Sequence, residues 1–267
     1  MTTRNKEQLG NFGAGDYWRM LRARGIRLPI QYFFQTHLFD LVRGTDTHTW
    51  LPRDRYIDPP AGEDHGGYYM CSLTNIVRKA FRVTERWDGG NFKKRVFVDV
   101  GSGKGKVVFA WKECLEKSGI SQQTIGLEYY GPLVRVAKAN QRKLGIEDLD
   151  LFREADAASF DYRALGDQFL LYMYNPFDDS ILSAVLDQLD GLDVIVVHTY
   201  LDHQECMSAA GFEVFHRSGG WYPGSRMTIY HRGVVPPKRD KTQGSITTSQ
   251  SVAARPDGVK DSPSKTA

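Results

Sequence analysis

The sequence predicts an α/β fold, and three observations carry that expectation. A short β-branched run breaks into three glycines and a helix-like stretch in "VFVDVGSGKGKVVFAW", residues 96 to 111. Apolar strand-like and amphipathic helix-like segments then alternate up to residue 200, and two more strand-like runs follow. Strand, helix, strand at this spacing builds a parallel sheet. The expected architecture is a Rossmann-like, mostly parallel sheet with helices on both faces, an antiparallel hairpin at one edge and a helical N-terminal cap.

Taken in order, "VFVDV" is the first strand, and Val107 to Lys117 has the apolar spacing of a helix packed on a sheet. "TIGLEYY" is the second strand. Pro132 suits the first turn of the next helix, "PLVRVAKANQRKL", which Gly145 terminates. A third strand spans Asp150 to Arg153, ahead of "EADAASF". "QFLLYMYNPF" is a buried fourth strand ending in a proline turn, with the amphipathic helix "SILSAVLDQLD" behind it, and "LDVIVVHTY" is the fifth. "GFEVFHR" and "RMTIYHR", joined by the glycine-rich "SGGWYPGS", form the hairpin. Upstream, "DYWRMLRARGI", "IQYFFQTHLFDLV" and "YYMCSLTNIVRKAFRVTERW" read as helices around a polar, turn-rich segment. The division expected is a helical cap or lid over 1–90, a ligand-binding domain over 91–235 and a tail over 236–267.

Hydrophobic residues at 41% and charged residues at 25% are ordinary globular values. No apolar run reaches the ~18 residues of a spanning helix, and the N-terminus lacks a secretory pattern. The expectation is therefore a cytoplasmic protein with no membrane partner. Cys71, Cys114 and Cys206 are far apart, with no metal-ligand spacing, so reduced structural thiols and no metal are expected. The tail holds six basic and three acidic residues, which accounts for the whole formal charge of +3. It has no aromatic residue and reads as disordered. Without that tail the chain is formally neutral, which argues against nucleic acid as the partner.

The glycine turn could hold a triphosphate, a dinucleotide or the amino-acid end of S-adenosylmethionine. A Walker A loop needs a glycine five positions before Gly-Lys and Ser or Thr after it, and both registers here fail. Gly101, Gly103 and Gly105 do not make G-x-G-x-x-G either. Asp99, two residues before the first glycine, would repel a pyrophosphate and attract an ammonium. Glu128 ends the second strand, where a carboxylate can accept from ribose hydroxyls. Asp156 follows the third strand, placed to accept from an adenine amino group. Three acids at the ends of three successive strands form one pattern.

Over roughly residues 95 to 232 these ordered motifs resemble the class I S-adenosylmethionine-dependent methyltransferases: "VDVGSGKG", "GLEYY", "ADA", "YMYNPF" and the late hairpin. Within them the chain is similar to a branch with a GSGKG-like turn, a YNPF motif and an upstream "FD..RG.DT" segment, here Phe39, Asp40, Arg43, Gly44, Asp46 and Thr47. The resemblance implies S-adenosyl-L-methionine as cofactor, held by Asp99, Gly101, Ser102, Gly103, Gly105, Glu128, Tyr129, Asp156, Ala157 and Asn175. It also implies methyl transfer to an N or O acceptor on a small molecule or a protein side chain.

The segment after strand four, Tyr174, Asn175, Pro176 and Phe177, should face the acceptor, with Asn175 either accepting from an acceptor nitrogen or capping the next helix. His198, at the end of strand five, is the base a hydroxyl acceptor would need. Asn175, Tyr174 and His198 are thus the candidate catalytic residues. Trp221 and Tyr222 either shape the acceptor pocket or staple the sheet edge. Aminopropyl transfer is a neighbouring chemistry on such a fold, and a catalytically silent, partner-binding domain is the reading from a different class. The acceptor and the oligomeric state are not fixed by the sequence.

Overall fold

Strands covered on both faces must be apolar throughout rather than alternating, and the central runs here obey that rule. In the structure, a computed structural model describing residues 13–48, 69–174, 176–200, 203–220 and 225–233, they become β1 (Val96–Val100), β2 (Thr124–Glu128), β3 (Phe152–Glu154), β4 (Gln168–Met173) and β5 (Asp193–Thr199). β6 (Glu213–Ser218) and β7 (Met227–Arg232) complete a seven-stranded sheet of order β3-β2-β1-β4-β5-β7-β6. All pairings among β1 to β5 are parallel, and β7 runs antiparallel to both β5 and β6. The hairpin therefore lies at the sheet edge as expected, with its second strand inserted between β5 and β6.

Period-2 alternation divides the core in two. Phe97, Leu170, Ile195 and Val197 face α4 (Thr74–Asp88) and α5 (Lys106–Ser118), where the Trp111 ring stacks on Phe97 at 4.0 Å. Val98, Leu171, Val194 and Val196 face α7 (Asp179–Gln188) and α8 (Gln204–Ala209). The helix α6 (Gly131–Lys143) begins with proline in its first turn, as the sequence indicates. The third strand starts at Phe152 rather than Asp150, because Leu151 ends a turn closed by its amide on Leu149.

Before the sheet lie α1 (Ala14–Arg24) and a helical run made of α2 (Arg27–Tyr32), a π-helical turn (Phe33–His37) and α3 (Leu38–Arg43). Gly44 ends that run in the left-handed conformation, φ +67°. Below the sheet, the guanidinium of buried Arg95 bridges Asp88 (2.6 Å) and Asp193 (2.9 Å), and His231 meets Asp193 at 3.0 Å. This network ties α4, β1, β5 and β7 together. Residues Met1–Val235 group into one unit; the second, Pro236–Ala267, lies outside the described residues, as do Trp221 and Tyr222.

Candidate functional site

Open parallel sheets present ligand sites at the carboxyl ends of their strands, and β1 ends in Asp99, Val100 and the glycine turn. The amides of Gly101 and Ser102 both donate to the Leu127 carbonyl at 2.9 Å, which pins the turn to β2. Gly103 has φ +53°, and any Cβ there would fall inside the Tyr69 ring. Gly105 has φ +91°, and its Cβ would lie 2.5 Å from Phe152. Glycine is thus required twice, by backbone conformation and by close packing.

Asp99 is buried at 3% exposure, and its Oδ2 has no hydrogen-bond partner within the protein. Burial, reinforced by the neighbouring Glu128 carboxylate, holds its pKa well above the ordinary value. An unpaired carboxylate in that position is costly unless a cation or donor meets it. Asp99 pairs with Tyr172 across the β1–β4 register. The Tyr172 hydroxyl, pushed up in pKa chiefly by burial, lies beside the hydroxyls of Ser72 and Thr199 without a hydrogen bond of ordinary geometry. Ser72 Oγ is also buried and unsatisfied. Three polar groups from β1, β4 and the segment before α4 thus stand unsatisfied on one face of the sheet. Neither Ser72 nor Tyr172 was singled out from the sequence: Tyr172 reads as one more core aromatic, and nothing local marks Ser72.

Glu128 is only partly buried. Its Oε2 accepts from the Gly103 amide at 2.8 Å and its Oε1 from the Tyr130 amide at 2.9 Å. Burial raises its pKa and these backbone donors oppose the rise. Two carboxylate oxygens offer about four acceptor sites, so capacity remains for outside hydroxyls. Tyr129 is half-buried beside it. Asp156 is exposed at the end of β3, where its Oδ1 accepts from the Ala158 amide at 2.9 Å, and Ala157 is half-buried. Ser102 is buried with its Oγ unpartnered, and its side chain covers Gly126 of β2.

The upstream motif has a structural part as well. Buried Asp40 accepts from Thr45 Oγ1 (2.6 Å), from the Thr47 amide and hydroxyl (both 2.8 Å) and from His48 Nδ1 (2.7 Å). Burial alone would raise its pKa, but these bonds win and bring it down to about 2. Asp46 meets Lys104 Nζ at 2.9 Å, and the Asn140 amide nitrogen donates to the carbonyls of both Asp46 and Lys104. Lys106 Nζ donates to the Gln35 carbonyl at 2.8 Å. Lys104 thus ties the glycine turn to the loop after α3, and Lys106, opening α5, ties the π-helical turn.

At the ends of β4 and β5 the rings of Tyr174 and Tyr200 lie 5.9 Å apart. Tyr200 has φ +84°, the one described non-glycine residue with positive φ, and such strain concentrates at functional sites. Asn175 lies outside the described residues. The cap of α7 is Asp178, whose side chain accepts from Ser180 and Ile181 amides, so the capping role considered for Asn175 belongs to Asp178. His198 shares the parity of Val194 and Val196 and so faces α7 and α8, opposite to Asp99, with its ring 4.9 Å from His203. The structure does not bring His198 together with the Asp99 cluster, and strand parity was the available signal. Among the described residues no cluster could hold a metal ion.

No protein-family model and no curated protein matches this sequence. Similar solved structures include magnesium protoporphyrin IX methyltransferase from Synechocystis PCC 6803 with bound SAM, at 15% identity, TM-score 0.43, covering 78% of this chain and 97% of that one. SMU.472, solved in complex with SAH, is 15% identical at TM-score 0.42 over 60% of this chain, which spans only 52% of its length. PH0226 from Pyrococcus horikoshii OT3 is 15% identical at TM-score 0.40, covering 58% of this chain and 91% of that one.

Proposed function

We propose that this chain is an S-adenosylmethionine-dependent methyltransferase. The carrying observation is Asp99 Oδ2, buried and unpartnered at the end of β1 beside a turn that glycine alone can make. An ammonium satisfies that carboxylate, whereas a pyrophosphate beside Asp99 and Glu128 would be repelled. The hydroxyls of Ser72 and Tyr172 supply donors for an amino-acid carboxylate next to that ammonium, and the remaining acceptor capacity of Glu128 suits a ribose diol. Asp156, with Ala157, lies where the adenine would follow.

Bound there, S-adenosylmethionine would supply a methyl group on a sulfonium, open to in-line displacement by an N or O acceptor. The protein's own contribution is positioning and exclusion of water. Asp99 and Glu128 orient the two ends of the cofactor, the lysine ties join the loop after α3 to the glycine turn and the π-helical turn to α5, and Tyr174 with Tyr200 forms an aromatic rim at the acceptor side. Aromatic faces favour a sulfonium charge. Asn175, next to Tyr174, is placed by sequence to accept from an acceptor amine. A small molecule or protein side chain suits the formal neutrality of residues 1–235 better than nucleic acid does.

Isothermal titration tests the reading directly. S-adenosylmethionine and S-adenosylhomocysteine should bind without added metal, and NAD and ATP should not. Binding of NAD or ATP with no heat from either sulfur ligand would contradict it.

A further inference from the structure

Seven of the nine exposed large hydrophobic residues among those described fall between Trp18 and Val42. Ile26, Ile30, Phe33, Phe34 and Leu41 recur at spacings of three, four and seven along the run from the start of α2 through the π-helical turn into α3. Their exposures run from 42% to 74%, while Pro29, Thr36 and Phe39 of the same run are buried. On α1 no residue is buried, Trp18 is 56% exposed, and the Arg22 guanidinium covers its ring at 5.3 Å. Arg22, Arg24 and Arg27 are exposed along the same stretch of chain, Arg19 pairs with Asp16, and Asp16 is the only acid between Gly13 and Phe39.

We infer that this α1 to α3 face is a peripheral docking surface for an anionic lipid bilayer. An aromatic and aliphatic surface interleaved with exposed arginines is the composition that lies in the headgroup layer, with apolar side chains entering ~5 to 10 Å and the cations meeting lipid phosphates. Charge decides between this occupant and a second copy of the chain. A two-fold interface would lay the same arginine-rich patch against itself, whereas an anionic surface complements it. No described helix is long and apolar enough to cross a membrane, so the contact is one of lying on the surface. This departs from the expectation of no membrane partner, which rested on the missing span. The Lys106 to Gln35 bond joins the same helical run to the start of α5.

The test is co-sedimentation of the full chain with vesicles of equal parts phosphatidylglycerol and phosphatidylcholine, against phosphatidylcholine alone. Preferential binding to the anionic vesicles, weakened by salt, is expected. Ile30→Asp combined with Phe34→Asp should lower partitioning about tenfold or more while leaving the melting temperature close to the parent's. Arg22→Glu with Arg27→Glu, at exposed positions, is the second variant and should lower it as well. Both variants keep the basic tail, so parental binding by both would overturn the proposal, as would no preference of the parent for anionic vesicles. A dimer that the apolar variant converts to monomer, without vesicle binding by the parent, would also overturn it.

Discussion

Glu128 Oε2 accepts the amide of Gly103 at 2.8 Å, so the acid that ends β2 also shapes the turn that follows β1. Fold and ligand site are coupled at this contact. Glu128→Ala strands two backbone donors, at roughly 1 to 3 kcal/mol for each buried one. The expected result is a lower unfolding midpoint together with a ten- to hundredfold loss of S-adenosylhomocysteine affinity. Urea titration and calorimetry read the two effects separately, and unchanged values of both would reduce Glu128 to a surface acid.

Asp99 is predicted to trade stability for binding. Its folded-state pKa is raised, so the folded protein favours the protonated form, and stability falls as pH rises past the ordinary carboxylate range toward the folded value. Asp99→Asn removes that loss. The ligand-free variant should be more stable at neutral pH by roughly 1 to 3 kcal/mol, and the parent's stability decline attributable to Asp99 should flatten. Melting curves from pH 4 upward check this, and a destabilised variant would show that the carboxylate is satisfied in the ligand-free protein.

Asp40 behaves with the opposite sign. Its folded pKa is about 2, below the unfolded value, so its contribution is complete above pH ~4 and is lost as pH falls toward 2. The shift corresponds to an order of 2 kcal/mol. Asp40→Asn should lower stability at pH 7 by about that amount or more and remove the corresponding part of the acid limb. An acid limb identical to the parent's would argue against the His48, Thr45 and Thr47 bonds.

Gly103→Ala should destabilise by more than 1 kcal/mol, since a side chain at φ +53° is strained and would strike the Tyr69 ring. Tyr69→Ala in the same chain should recover the steric part but not the backbone part. A double-mutant cycle by urea unfolding reads the coupling, and strict additivity would mean that the ring moves aside without cost.

Strands β1, β2, β4 and β5 were legible because buried parallel strands read as apolar runs, whereas β3, Phe-Arg-Glu, has one buried residue. The turn and its acid were legible because three glycines and Asp99 lie within seven residues. The six-residue α8, "QECMSA", was missed, since Met207 is its only buried residue and one apolar position has no period. Long-range polar contacts were illegible for a different reason. Arg95 and Asp193 stand 98 residues apart, and so do not mark each other locally. Ser72 and Tyr172 belong to that class as well, which is why the polar wall facing Asp99 emerges only from the fold. Asn175, Trp221 and Tyr222 lie outside the described residues and remain sequence-based expectations.

In the proposed function, Asp99 receives the ammonium of an amino acid attached to adenosine. Calorimetric titration of parent and Asp99→Asn with S-adenosylhomocysteine and with 5′-methylthioadenosine, which lacks the amino acid, tests it most directly. The variant should lose at least about tenfold in affinity for S-adenosylhomocysteine, the scale of a charge-assisted bond, while its affinity for methylthioadenosine stays unchanged. Equal losses for both ligands, or none for either, would contradict it.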